Sequence, residues 1–169
     1  MKKKKLIELA IYILLTFGCV VTIFLLSAQE AEVSSRNSLG VLTAVTEIIS
    51  DVFHISVDED QISNVHNFFR KMAHFSIYAV LSVFAYNMFR QLIEKKKLIF
   101  IVTFIFCVTV AISDEIHQIF IPGRSAEIRD VLIDTLGVCV GLVVVWVVSM
   151  LVKRRRYIKN NRIREIKNV

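Results

Sequence analysis

The stretch Ser113-Asp114-Glu115-Ile116-His117-Gln118 places two acids, an imidazole and an amide at the end of a long apolar run. A second cluster, Arg70-Lys71-Met72-Ala73-His74, opens another apolar run upstream. Arg124, Asp130 and Asp134 stand around the start of the last run. Guanidinium groups hold anions through paired charge-assisted hydrogen bonds. A histidine beside a carboxylate can move a proton, and imidazole with carboxylate can ligate a metal. Charged groups are costly near hydrocarbon, so those found there usually face a bundle interior or a polar cavity.

The elements that must position these residues follow from composition. The chain has 169 residues, 55% of them hydrophobic, with one Pro and five Gly, and its mean hydropathy is +0.60. A membrane-spanning helix needs roughly 20 apolar residues. Four segments reach or approach that length: Leu6–Leu26, Phe69–Phe89, Leu98–Ile119 and Ile128–Val152. The sequence therefore predicts an all-α membrane protein. One four-transmembrane-helix bundle fills residues 1–152, with helices at about 6–28, 69–90, 98–119 and 127–152, and a basic tail follows over 153–169. The first apolar run exceeds the ~7–15 residues of a signal-peptide core, so it reads as a helix of the bundle. Cys19, Cys107 and Cys139 all lie within apolar runs, which implies neither a disulfide framework nor a CxxC metal site.

The net charge of +6 reads as membrane topology, not as nucleic-acid binding. Basic residues gather at Lys2–Lys5, at Arg90 with Lys95–Lys97, and from Lys153 onward. Excess Lys and Arg near helix ends marks the cytoplasmic side. All three blocks agree with cytoplasmic N- and C-termini in a cell membrane. The segment at about 29–68 is then outside, and it holds seven acids but one basic residue, Arg36. Within it, Leu39, Leu42, Val45, Thr46, Ile49, Val52 and Phe53 follow a helical spacing after Ser38. This predicts an amphipathic helical outer segment between helices 1 and 2. Asp58-Glu59-Asp60 reads as a further helix start that runs on into helix 2.

With this topology the unusual polar residues of all four helices share the outer end. Arg70, His74 and Tyr78 are spaced four apart and line one stripe. Asp114, His117 and Gln118 share a face, whereas Glu115 is rotated by about 100° from Asp114, toward another helix or the headgroups. Asp130, Asp134, Gly137 and Gly141 line one face of helix 4, and the two glycines let a neighbour approach closely. Asp134 is expected to point into the bundle, where it would be neutral if unpaired or would pair with Arg70 or Arg124.

Residue types alone leave several readings open. Arg70 and Arg124 could hold an anionic lipid or lipid-linked phosphate. His74 and His117 with Asp114 or Asp130 have the donor types for zinc, but no HExxH or other tight ligand spacing is present, so no metal or cofactor is assigned. Ser27 and Ser113 lack a nucleophile-elbow context. A plainer reading makes Arg70, Asp114, Arg124 and Asp130 mutual ion pairs that pin helix ends.

The patterns Arg70-Lys71-x-Ala73-His74-Phe75-x-x-Tyr78, Asp114-Glu115-x-His117-Gln118-x-Phe120-x-Pro122-Gly123-Arg124 and Asp130-Val131-x-x-Asp134-x-x-Gly137-x-x-x-Gly141 resemble the VanZ-like family of small bacterial membrane proteins. Phe24-x-x-Ser27-x-Gln29 also resembles the family's first helix end. The chain departs from the family pattern at Asp134, where many relatives carry Asn. The resemblance implies a link to glycopeptide resistance, chiefly to teicoplanin, and implies no defined reaction.

The leading expectation is an outward-facing polar site that binds or modifies an anionic cell-envelope component, such as a lipid or lipid-linked cell-wall precursor. His74, Asp114 and His117 are the catalytic candidates, the histidines as proton carriers or hydrogen-bond donors and Asp114 orienting them. Arg70 and Arg124 would hold the anion, and Asp130 would orient them. Tyr78, Glu115, Gln118 and Asp134 complete the binding set, with Glu115 at the mouth. The alternative is a non-catalytic membrane scaffold whose outer-face charges are structural ion pairs. Membrane lipids are expected partners under either reading. An alkaline-phosphatase fusion within residues 29–68 is expected to be active and one within 90–97 inactive; the reverse pattern would place the polar clusters in the cytoplasm.

Overall fold

The computed structural model describes residues 3–28, 59–122 and 126–167. The amphipathic helix expected over 38–53, together with Gln29 and Arg124, lies outside them. Four helices are present: α1 (Lys3–Ser27), α2 (Glu59–Leu92), α3 (Lys96–Gln118) and α4 (Ile128–Lys167). No strand occurs among the described residues. All four helices are long and apolar enough to cross a membrane, so the chain is a multi-pass membrane protein.

Sequence dictates where the helices turn. Lys95 is extended, with φ −78° and ψ 109°, and divides α2 from α3 after a break of three residues, 93–95. At the other end of α3 the chain tightens: the N–H groups of Ile119, Phe120 and Ile121 donate to the carbonyls of Ile116, His117 and Gln118. These three-residue closures satisfy carbonyls that the helix end would leave bare, and Pro122 cannot continue the helix. The helices therefore alternate in direction. Ser27, Arg70, Gln118 and Asp130 meet at one end of the bundle, the polar end. Lys5, Arg90, Lys96 and Lys153 meet at the other, around a groove of about 780 Å³ that also touches Trp146 and Arg156. The Glu8 carboxylate accepts from Gln91 Nε2 at 3.4 Å near that basic end.

Two helices extend beyond the spans expected at 69–90 and 127–152. The helix start read at Glu59-Asp60 runs on into helix 2 as expected, and the two form one continuous element, α2. The basic tail continues α4 as a helix to Lys167, because nothing between Lys153 and Lys167 breaks it: there is no Pro or Gly there. At 1.5 Å per residue the 40 residues of α4 extend about 60 Å, twice the hydrocarbon thickness.

Buried side chains are few and aligned. On α3 they are Ile99, Thr103, Cys107 and Ala111, each one turn from the next, and the stripe continues into Asp114, Glu115 and Gln118. On α1 only Leu9, Thr16, Ile23 and Ser27 are buried, while Leu14, Phe17 and Leu25 are exposed. That outward apolar surface suits lipid tails. The core joins Ile23, Tyr78, Leu81, Ala85, Val138 and Leu142 across α1, α2 and α4. Cys107 is buried there as a small apolar side chain, and all three cysteines are free.

The α2–α4 seam is the tightest. A Cβ on Gly137 would collide with the Phe75 carbonyl, and one on Gly141 with the Ala79 carbonyl and the Ser82 hydroxyl. The expectation drawn from the two glycines holds: they bring the two backbones into contact. Gly18 on α1 has nothing within 4 Å of a new Cβ. Gly137→Leu or Gly141→Leu is expected to destabilise the bundle by at least about 1–3 kcal/mol, read as a lowered melting temperature in detergent. Gly18→Ala is expected to raise stability by up to ~1 kcal/mol.

Candidate functional site

α2 and α4 both start at the polar end and run parallel, and their packing sets their polar residues as rungs. The upper rung joins Arg70 and Lys71 to Asp130. Lys71 Nζ lies 2.7 Å from Asp130 Oδ1 and 3.6 Å from Glu127 Oε2. Arg70 Nη2 lies 3.8 Å from Asp130 Oδ2, too far for a hydrogen bond. Arg70 and Lys71 side chains are each 29% exposed, so this rung borders the surface. One turn deeper, His74 Nδ1 lies 3.8 Å from Asp134 Oδ1. Asp134 is thus paired with His74, not with Arg70 as expected. Residues 70 and 74 are one turn apart on α2, as are 130 and 134 on α4, so each rung meets its own partner. A further turn down, the Tyr78 hydroxyl is buried with no hydrogen-bond partner.

A second network ties α1 to α3 and α3 to α4. Ser27 Oγ donates to Asp114 Oδ2 at 2.8 Å. Gln118 Nε2 donates to the same oxygen at 3.3 Å, to Glu115 Oε1 at 3.3 Å, and approaches Ser27 Oγ at 3.5 Å. Glu115 Oε2 accepts from the Glu127 backbone N–H at 3.0 Å. Glu115 is 4% exposed, so it is a buried tie and not a group covering the mouth. Of the two directions its rotation allowed, it takes the neighbouring helix. There its negative charge meets the positive end of the α4 dipole and one of the N–H groups that any helix start leaves unpaired.

His117 turns the other way. Its ring packs edge-to-face on Phe24 of α1 at 5.5 Å between centroids. It is half-buried against α1 and stands outside the His74–Asp134 rung. The proton-transfer pair expected from sequence therefore splits, with His74 at the α2–α4 seam and His117 at the α1–α3 seam.

His74, Asp114 and Asp134 come together although they sit on three helices. One donor atom from each lies within 4.8 Å of the other two. Beside them is a cleft of about 10 Å³, bordered by Arg70, Lys71, His74, Gln118, Asp130 and Asp134. That space holds about one water-sized sphere. The polar end thus offers a half-exposed guanidinium above, a compact cleft, and two buried acids with a histidine below.

The sequence signalled most of these side chains, but not the part played by Glu127. Its backbone N–H binds Glu115 and its carboxylate reaches Lys71. An acid just ahead of a helix start was the available signal.

The VanZ/LLP1 family model matches residues 9–150, and the chain belongs to that family. No curated protein and no solved structure matches the chain significantly.

Ser27→Ala and Asp114→Asn should each destabilise the protein, and a double-mutant cycle is expected to give a coupling of about 1 kcal/mol, within the range known for interhelical hydrogen bonds in membranes. Additive effects in the detergent melt would show that the two side chains do not interact.

Proposed function

We propose that this family member sits in a bacterial cell membrane with both termini in the cytoplasm. Its polar end faces outward and binds the phosphate-bearing headgroup of an envelope lipid or lipid-linked cell-wall precursor. The observation that supports this reading is the state of Arg70. Lys71 takes the close contact with Asp130, so among the described residues the Arg70 guanidinium makes no hydrogen bond. Its planar fork of donors is partly exposed at a bundle end, where it matches a phosphate two oxygens at a time. Arg124, two residues after Pro122 in the sequence and outside the described residues, is the second arginine in this reading. Any change in teicoplanin susceptibility would then follow from sequestering or altering that lipid-linked material.

One observation favours the scaffold alternative. Lys71 bridges Asp130 and Glu127 and so ties α2 to the start of α4. The two roles separate by residue. After purification in mild detergent, Arg70→Ala is expected to keep the wild-type melting temperature and to lose co-purifying phosphorylated lipid by mass spectrometry. Lys71→Ala is expected to lower the melting temperature. If Arg70→Ala retains the same lipid in the same amount, or if both variants merely fail to accumulate, Arg70 is a structural charge and the binding reading is wrong.

A further inference from the structure

The deepest polar residues of the bundle have a charge arrangement that the lipid reading does not use. Asp114 is fully buried and Asp134 is 1% exposed. Ser27 and Gln118 both hold Oδ2 of Asp114, which leaves its Oδ1 without a hydrogen-bond partner. Neither oxygen of Asp134 accepts a hydrogen bond. A buried ionised carboxylate is tolerated only when it is paired, hydrogen-bonded or bound to a metal. Here three carboxylate oxygens accept no hydrogen bond, and the pairing of Asp134 Oδ1 with His74 Nδ1, at 3.8 Å, is too long to be one and neutralises charge only when the imidazole is protonated.

The nearby cations do not fill the need. Lys71 is committed to Asp130 and Glu127, and Arg70 stands one turn above, level with Asp130. Among the described residues, the polar end carries Asp114, Glu115, Glu127, Asp130 and Asp134 against Arg70, Lys71 and the exposed Arg129. The local deficit of positive charge sits at the level of His74, where one donor atom from each of His74, Asp114 and Asp134 falls within 4.8 Å of the others. The adjoining cleft of about 10 Å³ is of monatomic size.

We propose that His74, Asp114 and Asp134 bind one divalent transition-metal cation, of the zinc or manganese class. One imidazole nitrogen with two carboxylate oxygens suits such ions, whereas calcium and magnesium favour all-oxygen shells. Metal bonds of about 2.0–2.2 Å put tetrahedral donors about 3.3 Å apart. The three side chains therefore close by at most about 1.5 Å as the ion enters, a movement within reach of side-chain rotation. Ser27 and Gln118 orient Asp114 through the oxygen that faces away from the free one, the arrangement that outer hydrogen bonds give a ligating carboxylate. Three protein donors leave at least one coordination position for water or a ligand oxygen. The site uses different atoms from those of the proposed lipid contact, and it stands or falls separately from it.

The test is metal content and metal-dependent stability of the full chain in detergent. The protein as purified, and again after chelator dialysis and titration with zinc or manganese chloride, is expected to carry about one equivalent by plasma mass spectrometry. Chelation should lower the melting temperature and the metal should restore it. Cobalt in place of zinc should give visible d–d absorption. The isosteric Asp134→Asn should abolish stoichiometric binding, Ser27→Ala should weaken it ~10-fold or more, and Arg90→Ala, at the opposite end of the bundle, should leave it unchanged. Folded wild type that takes up neither metal overturns the proposal by itself, as does full binding by Asp134→Asn. If Asp134→Asn fails to fold, Asp114→Asn and His74→Gln report the same loss, and the wild-type titration still decides. Metal bound without lipid, or lipid bound without metal, separates this inference from the headgroup reading.

Discussion

Two carboxylates lie buried inside a bundle whose outer surface is apolar, and the rest of the polar end is organised around keeping them there. Hydrocarbon offers no hydrogen bonds, so a polar group near it must be satisfied by the protein or by what the protein admits. Asp134 reaches its level only because Gly137, less than one turn further along α4, lets that helix touch the backbone of α2 at Phe75. Without that approach the His74 ring and the Asp134 carboxylate would belong to separate surfaces. The small-residue seam therefore does more than pack two helices: it fixes how deep the charged layer lies.

Above that layer the charges are graded by depth. Lys71 and Asp130 form a close pair at the rim, where partial hydration lowers the cost of ionisation. Arg70 is left with spare donors at the same level; deeper, Asp114 is held by neutral donors, Ser27 and Gln118, and Asp134 faces His74. The basic end contrasts with this. Its lysines and arginines border an open groove, with Lys96 beside Lys153, and the described contacts there include no comparable buried acid cluster. The two ends of one bundle thus carry different kinds of charge: a solvated, basic one and a buried, mostly acidic one.

Much of this was legible in the sequence because helices in a membrane obey few rules. Run length gave four spanning helices, and the four-residue spacing of Arg70, His74 and Tyr78 gave their common stripe. The paired glycines of α4 announced a close neighbour. What the sequence could not supply was the pairing across helices. Asp134 meets His74 and not Arg70 because the vertical offset between the parallel helices α2 and α4 is set by packing at Gly137 and Gly141, which no linear spacing encodes. The donor trio was hidden for the same reason, since each of its three members comes from a different helix. Glu115 was ambiguous because rotation about an axis names a direction, and only the neighbour's position decides what lies there. The helical form of the tail after Lys153 rests on a stretch free of Pro and Gly, whereas its charge density speaks only of solvation.

Asp114 and Glu115 are consecutive residues, yet one is bound to Ser27 of α1 and the other to the backbone at the start of α4. Consecutive side chains on a helix diverge by about 100°, so these two bonds pull on α3 from well-separated directions. They act like two guy-wires on a mast. Turning α3 about its own axis in either sense would stretch one of them, and Gln118, bound to both acids, opposes the same turn from one helical turn away. Any rearrangement that opens the polar end must then be a tilt or a separation of neighbouring helices, since a roll of α3 is blocked by two adjacent residues.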